Sequence, residues 1–157
     1  MKKLIFLSLL FIAGIAYAQK SSKFGFYVGY NGVPTRNVVM MDRLIHEAKY
    51  KIIRKELYSQ DIVSKYLAVI VCEILQEKER IHLTDAEKNE IILSYKSDRK
   101  ITYCSGCAFS KETTIKNLLN KNYYIFLNRY HGKSHQDFKR NSVNVSEVVR
   151  KRYFNKL

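Results

Sequence analysis

Residues 67–72 are apolar at every position, which constrains the fold more than any other stretch of the chain. The run is far shorter than the roughly 20 apolar residues of a membrane-spanning helix, so it predicts the most buried element of a globular fold. Its β-branched residues would also suit a central strand. The helix predicted here runs from the N-cap candidates Ser59 and Asp61 to about Glu79, with further apolar residues at Ile62, Tyr66, Ile74 and Leu75, and this length favours a helix over a strand.

Other segments carry helix signals as well. Apolar residues recur at three- and four-residue spacing over residues 35–57, which predicts one amphipathic helix of about six turns. Thr84 and Glu87 form a capping-box pattern at the start of a further helix. Another helix is predicted after Ser110, and a short last one after Ser146. In the helix predicted over residues 35–57 the apolar stripe is Val38, Met41, Ile45, Ala48 and Ile52, widened by Leu44 and Leu57, and the other side carries Arg43, Glu47, Lys51, Arg54 and Lys55.

The strand content is expected to be small. Residues 24–30 alternate aromatic and small side chains as a strand does, and the Asn31-Gly32 pair gives a turn signal. The best partners for this strand are residues 100–103 and part of residues 123–127. Together these signals predict a mainly α fold of four or five helices in one small domain, with at most a short two- or three-stranded β element.

Residues 1–18 have the pattern of a cleavable signal peptide. Lys2 and Lys3 give a positive start, twelve apolar residues follow, and an Ala-Tyr-Ala sequence supplies the small residues of a cleavage site. Twelve residues span about 18 Å as a helix, less than the bilayer core of about 30 Å, which disfavours an uncleaved anchor. No later stretch reaches transmembrane length. We therefore expect a periplasmic or secreted protein whose residues 19–157 form a single basic, mostly helical domain.

The chain has 28 basic and 14 acidic residues, a formal net charge of +14. This surplus favours anionic partners such as nucleic acid, acidic polysaccharide or lipid headgroups, although it also suits a solvated surface. It is concentrated after residue 120, where tyrosines lie among the cations and would stack on bases or sugars. The simpler alternative packs these tyrosines at the edge of the core. The expected contact residues are Arg129, Lys133, Lys139, Arg140, Arg150, Lys151 and Arg152.

Cys104 and Cys107 are separated by two residues, and Cys72 is the third cysteine. In an exported chain we expect one disulfide, either between Cys104 and Cys107 or between Cys72 and one of them, and the sequence does not choose. The small loop of a Cys104–Cys107 bridge would contribute about 2 kcal/mol. A redox dithiol is less favoured, because a helix that begins after Ser110 leaves both sulfurs away from its N-terminus.

His131 and His135 are four residues apart in a loop. With Cys104 and Cys107 they give the ligand types and number of a tetrahedral zinc site, but the inner gap of 23 residues is longer than in the usual zinc finger. Either histidine would also serve as the base of a hydrolase or nuclease. Asp137 is the one acidic residue close to them in sequence, which weakens this alternative.

The function expected from the sequence is an exported, non-enzymatic binding or interaction protein of the bacterial cell envelope. It would engage an anionic partner through its basic, tyrosine-rich C-terminal region. The alternative is a secreted hydrolase or nuclease-like enzyme that acts on an anionic polymer through the loop of residues 131–135. No cofactor is expected, with zinc as the alternative.

Overall fold

The structure, a computed structural model, describes residues 23–26, 32–105, 109–120, 124–126 and 142–157. These residues form six helices and two small sheets, which confirms the predicted mainly α domain with a short β element. The helices are α1 (Arg36–His46), α2 (Tyr50–Glu56), α3 (Ile62–Glu77), α4 (Asp85–Tyr95), α5 (Ile115–Leu119) and α6 (Val145–Phe154). The strands are β1 (Lys23–Phe24), β2 (Lys100–Ser105), β3 (Phe109–Thr114), β4 (Tyr124–Phe126) and β5 (Ser142–Asn144).

Helix α3 is the centre of the fold. The side chain of Asp61 caps it by accepting hydrogen bonds from the backbone N–H groups of Val63 at 2.9 Å and Ser64 at 2.8 Å. Twelve of its sixteen residues are buried, including every residue from 66 to 72. Helices α1, α2 and α6 pack along α3, and α4 and α5 touch it more narrowly. The prediction of a buried helix at residues 67–72 is therefore confirmed, and the strand alternative is wrong.

The first predicted helix is two helices in the structure, because the chain turns at Ala48. Ala48 has a φ of 51°, in the left-handed region. The N–H of Lys49 donates to the carbonyl of Leu44 at 2.8 Å, and the N–H of Ala48 donates to that of Ile45 at 3.0 Å. This pair of bonds is the Schellman motif, which usually has glycine in the left-handed position. It ends α1 and lets α2 begin in a new direction.

The turn changes which side chains face the core. Ala48 and Ile52, which belong to the predicted apolar stripe, are exposed, whereas Leu57 of that stripe is buried as predicted, and so is Ile53, which was not part of it. A helix that restarts in a new direction places a different set of residues toward the protein interior. The stripe prediction is therefore correct for α1 and for Leu57, and wrong at Ala48 and Ile52.

The larger sheet joins the start of the described chain to its middle. Strand β1 runs parallel to β2, with Phe24 opposite Tyr103, and β2 runs antiparallel to β3. The predicted pairing with residues 100–103 is confirmed. The predicted strand within residues 123–127 is also present as β4, but it pairs with β5 and not with β1. Most of the predicted first strand, residues 27–30, lies outside the described residues.

The helix predicted after Ser110 begins later. Residues 109–114 form β3, whose register with β2 runs from Phe109 opposite Ser105 to Thr114 opposite Lys100. Thr114 then caps α5 by accepting a hydrogen bond from the N–H of Asn117 at 3.3 Å. The ladder along β2 pairs six residues at once, and two of the six in β3 are β-branched threonines. This pairing outweighs the local helix-start signal.

Helix α6 begins slightly earlier than predicted. The side chain of Asn144, not that of Ser146, accepts the capping hydrogen bond from the N–H of Glu147, at 3.2 Å. Ser146 is buried; its hydroxyl donates to the carbonyl of Leu118 and lies 3.3 Å from the hydroxyl of Tyr66. Ser146 thus ties α6 to α5 and α3.

Candidate functional site

The two cysteines that the structure describes are buried. Cys72 lies in the middle of α3, and Cys104 lies in β2 opposite Ser110 of β3, so Cys104 belongs to a strand pair and not to a helix N-terminus. They are not bonded to each other. Burial raises the pKa of Cys72 to about 12 and also raises that of Cys104. Neither is an activated thiolate. Cys107 lies outside the described residues, so its pairing stays a prediction.

Most of the predicted zinc and catalytic residues lie outside the described residues. These are His131, His135 and Cys107, and Cys104 alone of the four proposed ligands is described. Within the part of the chain that is described, no group of three His, Cys, Asp or Glu side chains is placed to hold a metal ion. The zinc and hydrolase alternatives therefore stay predictions.

Some of the predicted basic contact residues are described by the structure and others are not. Arg129, Lys133, Lys139 and Arg140 lie outside the described residues, whereas the remaining three are in α6. These three point in different directions, because consecutive helix residues are about 100° apart. The structure gives each of them a different environment.

Arg150 is bound to acidic residues of α3. Its Nη1 lies 3.3 Å from Oε2 of Glu73, and its Nη2 contacts Oε2 of Glu77. Glu73 also accepts a hydrogen bond from the hydroxyl of Tyr95 at 2.9 Å. The pKa of Glu73 is raised, chiefly by burial, against the opposing effect of these partners. Arg150 therefore fastens α6 to the central helix.

Arg152 is bound on the opposite side, to α1. Its Nη2 donates to Oδ2 of Asp42 at 2.6 Å, and its guanidinium carbon lies 4.7 Å from the centre of the Phe26 ring. Lys156 reaches the other oxygen of Asp42, with Nζ 2.8 Å from Oδ1. Of the three α6 residues only Lys151 is exposed and makes no ion pair with a described residue.

Arg54 of α2 makes the most complete ion pair. Its Nε and Nη2 each lie 2.7 Å from an oxygen of Glu87, a bidentate arrangement. Glu87 also accepts from the N–H of Thr84 at 2.8 Å and from its hydroxyl at 2.9 Å, so the predicted capping box is confirmed. The hydrogen bonds from Arg54 are the main cause that lowers the pKa of Glu87 to about 2. We call Arg54, Arg150 and Arg152 the paired cations.

Four basic residues of α1 and α2 are in a different situation. Arg36 and Arg43 lie on one side of α1, seven residues apart, and Lys51 and Lys55 lie on one side of α2, four residues apart. All four are exposed, and none forms an ion pair with another residue that the structure describes. We call them the open cations.

Apolar side chains are exposed beside the open cations. Val39 lies between Arg36 and Arg43 and is 51% exposed. Next to Lys51 and Lys55, Ile52 is 42% exposed and Tyr58 is 51% exposed. Helices α1 and α2 pack against each other and both pack against α3, so their far sides face away from the core. We call this surface the α1–α2 face; it consists of Arg36, Val39, Arg43, Lys51, Ile52, Lys55 and Tyr58.

A groove of about 780 Å³ lies between α3, α4 and α6. The carboxylate of Glu73 is on its floor with its hydrogen bonds to Tyr95 and Arg150, and Ile91 and Ile92 line its wall. Burial raises the pKa of Tyr95. Both oxygens of Glu73 already have partners and Tyr95 stays protonated, so neither of these two side chains is free to act as a nucleophile or base.

Comparison with protein-family models, with curated proteins and with solved structures finds no match to this chain. No helix among the described residues has the length and apolar character needed to cross a membrane. Function must therefore be inferred from the surfaces above. The sequence already showed that the polar side of the helix predicted over residues 35–57 is rich in cations. It placed Arg54 in one group with Lys51 and Lys55, whereas in the structure Arg54 is paired with Glu87 and the two lysines are open.

Proposed function

We propose that this protein is an exported, non-enzymatic binding protein of the cell envelope that engages an anionic partner. The observation that supports it most is the presence of four open cations on the outward sides of α1 and α2. Exposed cations without partners in the fold attract anions, because binding an anion offsets the repulsion between the cations. The signal peptide pattern of residues 1–18 supports export.

The acidic residues strengthen this proposal, because most of them are already in use. Nine acidic side chains form ion pairs within the described residues. The chain has only 14 acidic residues against 28 basic ones. The protein therefore lacks the negative charge to neutralise its own surplus, and an external anion would supply it. The nine are Asp42, Glu47, Glu73, Glu77, Asp85, Glu87, Glu90, Asp98 and Glu112.

The C-terminal region remains part of the proposal in a reduced form. Arg150 and Arg152 hold α6 in place, so they contribute little to partner binding. Lys151 is exposed and suits such a contact. The other predicted contact residues add to the same surplus of positive charge. These are Arg129, Lys133, Lys139 and Arg140.

The test is the salt dependence of binding to a polyanion. We would titrate the purified protein with a fluorescent DNA duplex at several salt concentrations. Four phosphate contacts predict an affinity loss of about 100-fold between roughly 50 and 200 mM salt. Binding to no polyanion, or binding that does not change with salt, would remove the proposal.

A matched pair of variants tests whether the polyanion contacts the open cations. Replacing Lys51 and Lys55 by Gln should lower the slope of log affinity against log salt by about two. The control replaces Lys88 and Lys100, which are exposed but paired with Asp85 at 3.3 Å and Glu112 at 2.8 Å. It removes the same net charge and should leave the slope nearly unchanged. Equal losses in both variants would show a diffuse effect of net charge and not a site.

A further inference from the structure

We infer that the anionic partner is a lipid surface and that the α1–α2 face docks on it. This inference rests on the proposed function, since it specifies which anion the open cations contact. Charge complementarity supplies the attraction, because all four open cations lie on this face and anionic headgroups attract juxtaposed lysines and arginines. What singles out lipid is the apolar part of the face.

Exposed aliphatic side chains distinguish a lipid surface from a hydrated polymer. Val39 and Ile52 are about half exposed and lie among the cations. Against a polysaccharide or a nucleic acid backbone they would stay largely in contact with water. At a bilayer they would enter the boundary between headgroups and acyl chains, where burial of apolar area is favourable. The pattern of cations interleaved with apolar residues is typical of helices that lie in a membrane interface.

Tyr58 fits the same environment. It is 51% exposed directly after α2, one turn from Lys55. Tyrosine is enriched at membrane interfaces, because its ring is apolar and its hydroxyl stays near water. The long side chains of Lys51 and Lys55 would extend their ammonium groups to the phosphates while their methylene groups cover apolar surface.

A second copy of the protein is a poorer occupant for this face. A two-fold symmetric dimer places the same patch of one subunit against that of the other. Here it would bring the cations of Arg36, Arg43, Lys51 and Lys55 against the same set. Such like-charge contact opposes association.

The experiment is vesicle co-sedimentation of the purified protein with two lipid compositions. One vesicle contains phosphatidylcholine only, and the other contains about one third phosphatidylglycerol. We expect binding to the anionic vesicles and much weaker binding to the neutral ones. Replacing Lys51 and Lys55 by Gln should weaken binding to the anionic vesicles by about 30-fold, at roughly fivefold for each charge. The control variant Lys88→Gln, Lys100→Gln should lose far less affinity for the anionic vesicles.

The apolar part of the face is tested separately. Replacing Ile52 and Tyr58 by Ser keeps every charge, and we expect it to weaken binding to anionic vesicles by about tenfold. The same variant should bind the DNA duplex as the original protein does. Thermal unfolding of each variant shows whether it is folded, and Val39→Ser, on the other helix, repeats the test independently.

The outcomes separate the two proposals. If Ile52→Ser, Tyr58→Ser and Val39→Ser leave vesicle binding unchanged, lipid docking is overturned while salt-dependent binding to DNA still supports an anion-binding protein. A protein that binds DNA but neither kind of vesicle leads to the same conclusion. Binding to neither DNA nor anionic vesicles overturns both. Loss of vesicle binding in the apolar variants, with DNA binding kept, supports the lipid surface.

Discussion

Arg54 and its neighbours Lys51 and Lys55 lie in one seven-residue helix, yet they have opposite environments. Arg54 is bound at two points to the buried carboxylate of Glu87, whereas the two lysines face solvent. The difference arises because Arg54 is close enough to α4 to reach Glu87, while Lys51 and Lys55 lie about 60° and 100° around the helix axis from it and have no acidic partner among the described residues. A single short helix therefore carries both a cation that stabilises the fold and cations that are open to a partner.

The contrast between paired and open cations also holds between α6 and α1. Arg150 and Arg152 are bound to Glu73 and Asp42, which are 77 and 110 residues away in sequence. Arg43, adjacent to Asp42, has no such partner among the described residues. A cluster of basic residues in a sequence therefore does not identify a binding surface, since distant acidic residues decide which cations remain open.

The largest expected effect is on stability, at the most complete ion pair. Glu87 is only 7% exposed, and replacing Arg54 by Gln leaves its carboxylate without its main partner. We expect the free energy of unfolding to fall by about 3 kcal/mol, measured by urea denaturation. Lys55→Gln in the same helix should change it by less than about 0.5 kcal/mol. Similar losses in the two variants would contradict the distinction between paired and open cations.

Acid should weaken the same pair. Since the folded-state pKa of Glu87 is about 2, below its ordinary value of 4.5, its contribution is complete above about pH 4.5 and is lost as the pH falls toward 2. The expected loss is at most about 3 kcal/mol, since the folded and ordinary pKa values differ by about 2.5 and each pH unit corresponds to 1.36 kcal/mol. Glu87→Gln should be less stable at pH 7 and should show a smaller loss over this window. An equally steep loss in that variant would assign the acid sensitivity to other groups.

A smaller loss of stability is expected at Arg152, because it shares the carboxylate of Asp42 with Lys156. Arg152→Gln removes the 2.6 Å contact with Asp42, but Lys156 still contacts that carboxylate. We expect a loss of about 1 to 2 kcal/mol in urea denaturation. The matched variant Arg43→Gln, in the turn of α1 that holds Asp42, should lie within about 0.5 kcal/mol of the original protein. A larger loss of unfolding free energy in Arg43→Gln would mean that Arg43 has a structural partner.

The smallest expected effect is at the turn between α1 and α2. Ala48→Gly removes the cost of a left-handed backbone at a residue with a Cβ, at φ 51°. Glycine also makes the unfolded chain more flexible, so the net gain should be about 0.5 kcal/mol. Thermal unfolding measures the gain, and polyanion affinity should not change. Destabilisation would show that the turn relaxes to another conformation in solution.

The elements that sequence predicted correctly are those with local causes. The all-apolar residues 67–72 predicted the central helix, because only a buried element is apolar on every side. Thr84 and Glu87 predicted a helix start through contacts only three residues apart. Asp61, one of two cap candidates, is the residue that caps α3.

The elements that sequence did not predict depend on nonlocal or unusual features. Alanine favours helix interiors, so nothing in the sequence indicated that Ala48 would take the left-handed position of a Schellman motif. Strand β3 depends on pairing with β2, which local signals at Ser110 do not report. The partners of Arg150 and Arg152 lie in helices far away in sequence. For the candidate site, sequence therefore indicated the surplus of cations but not which of them are open.

The most direct test compares open with paired cations in one binding assay. We would measure the salt dependence of DNA-duplex affinity for Lys51→Gln, Lys55→Gln and for Arg150→Gln, Arg152→Gln, which remove the same charge. We predict that the first double variant lowers the slope of log affinity against log salt by about two, while the second keeps the slope and loses stability. A lower slope in the second and an unchanged slope in the first would make α6 the contact surface and contradict the assignment of binding to the open cations.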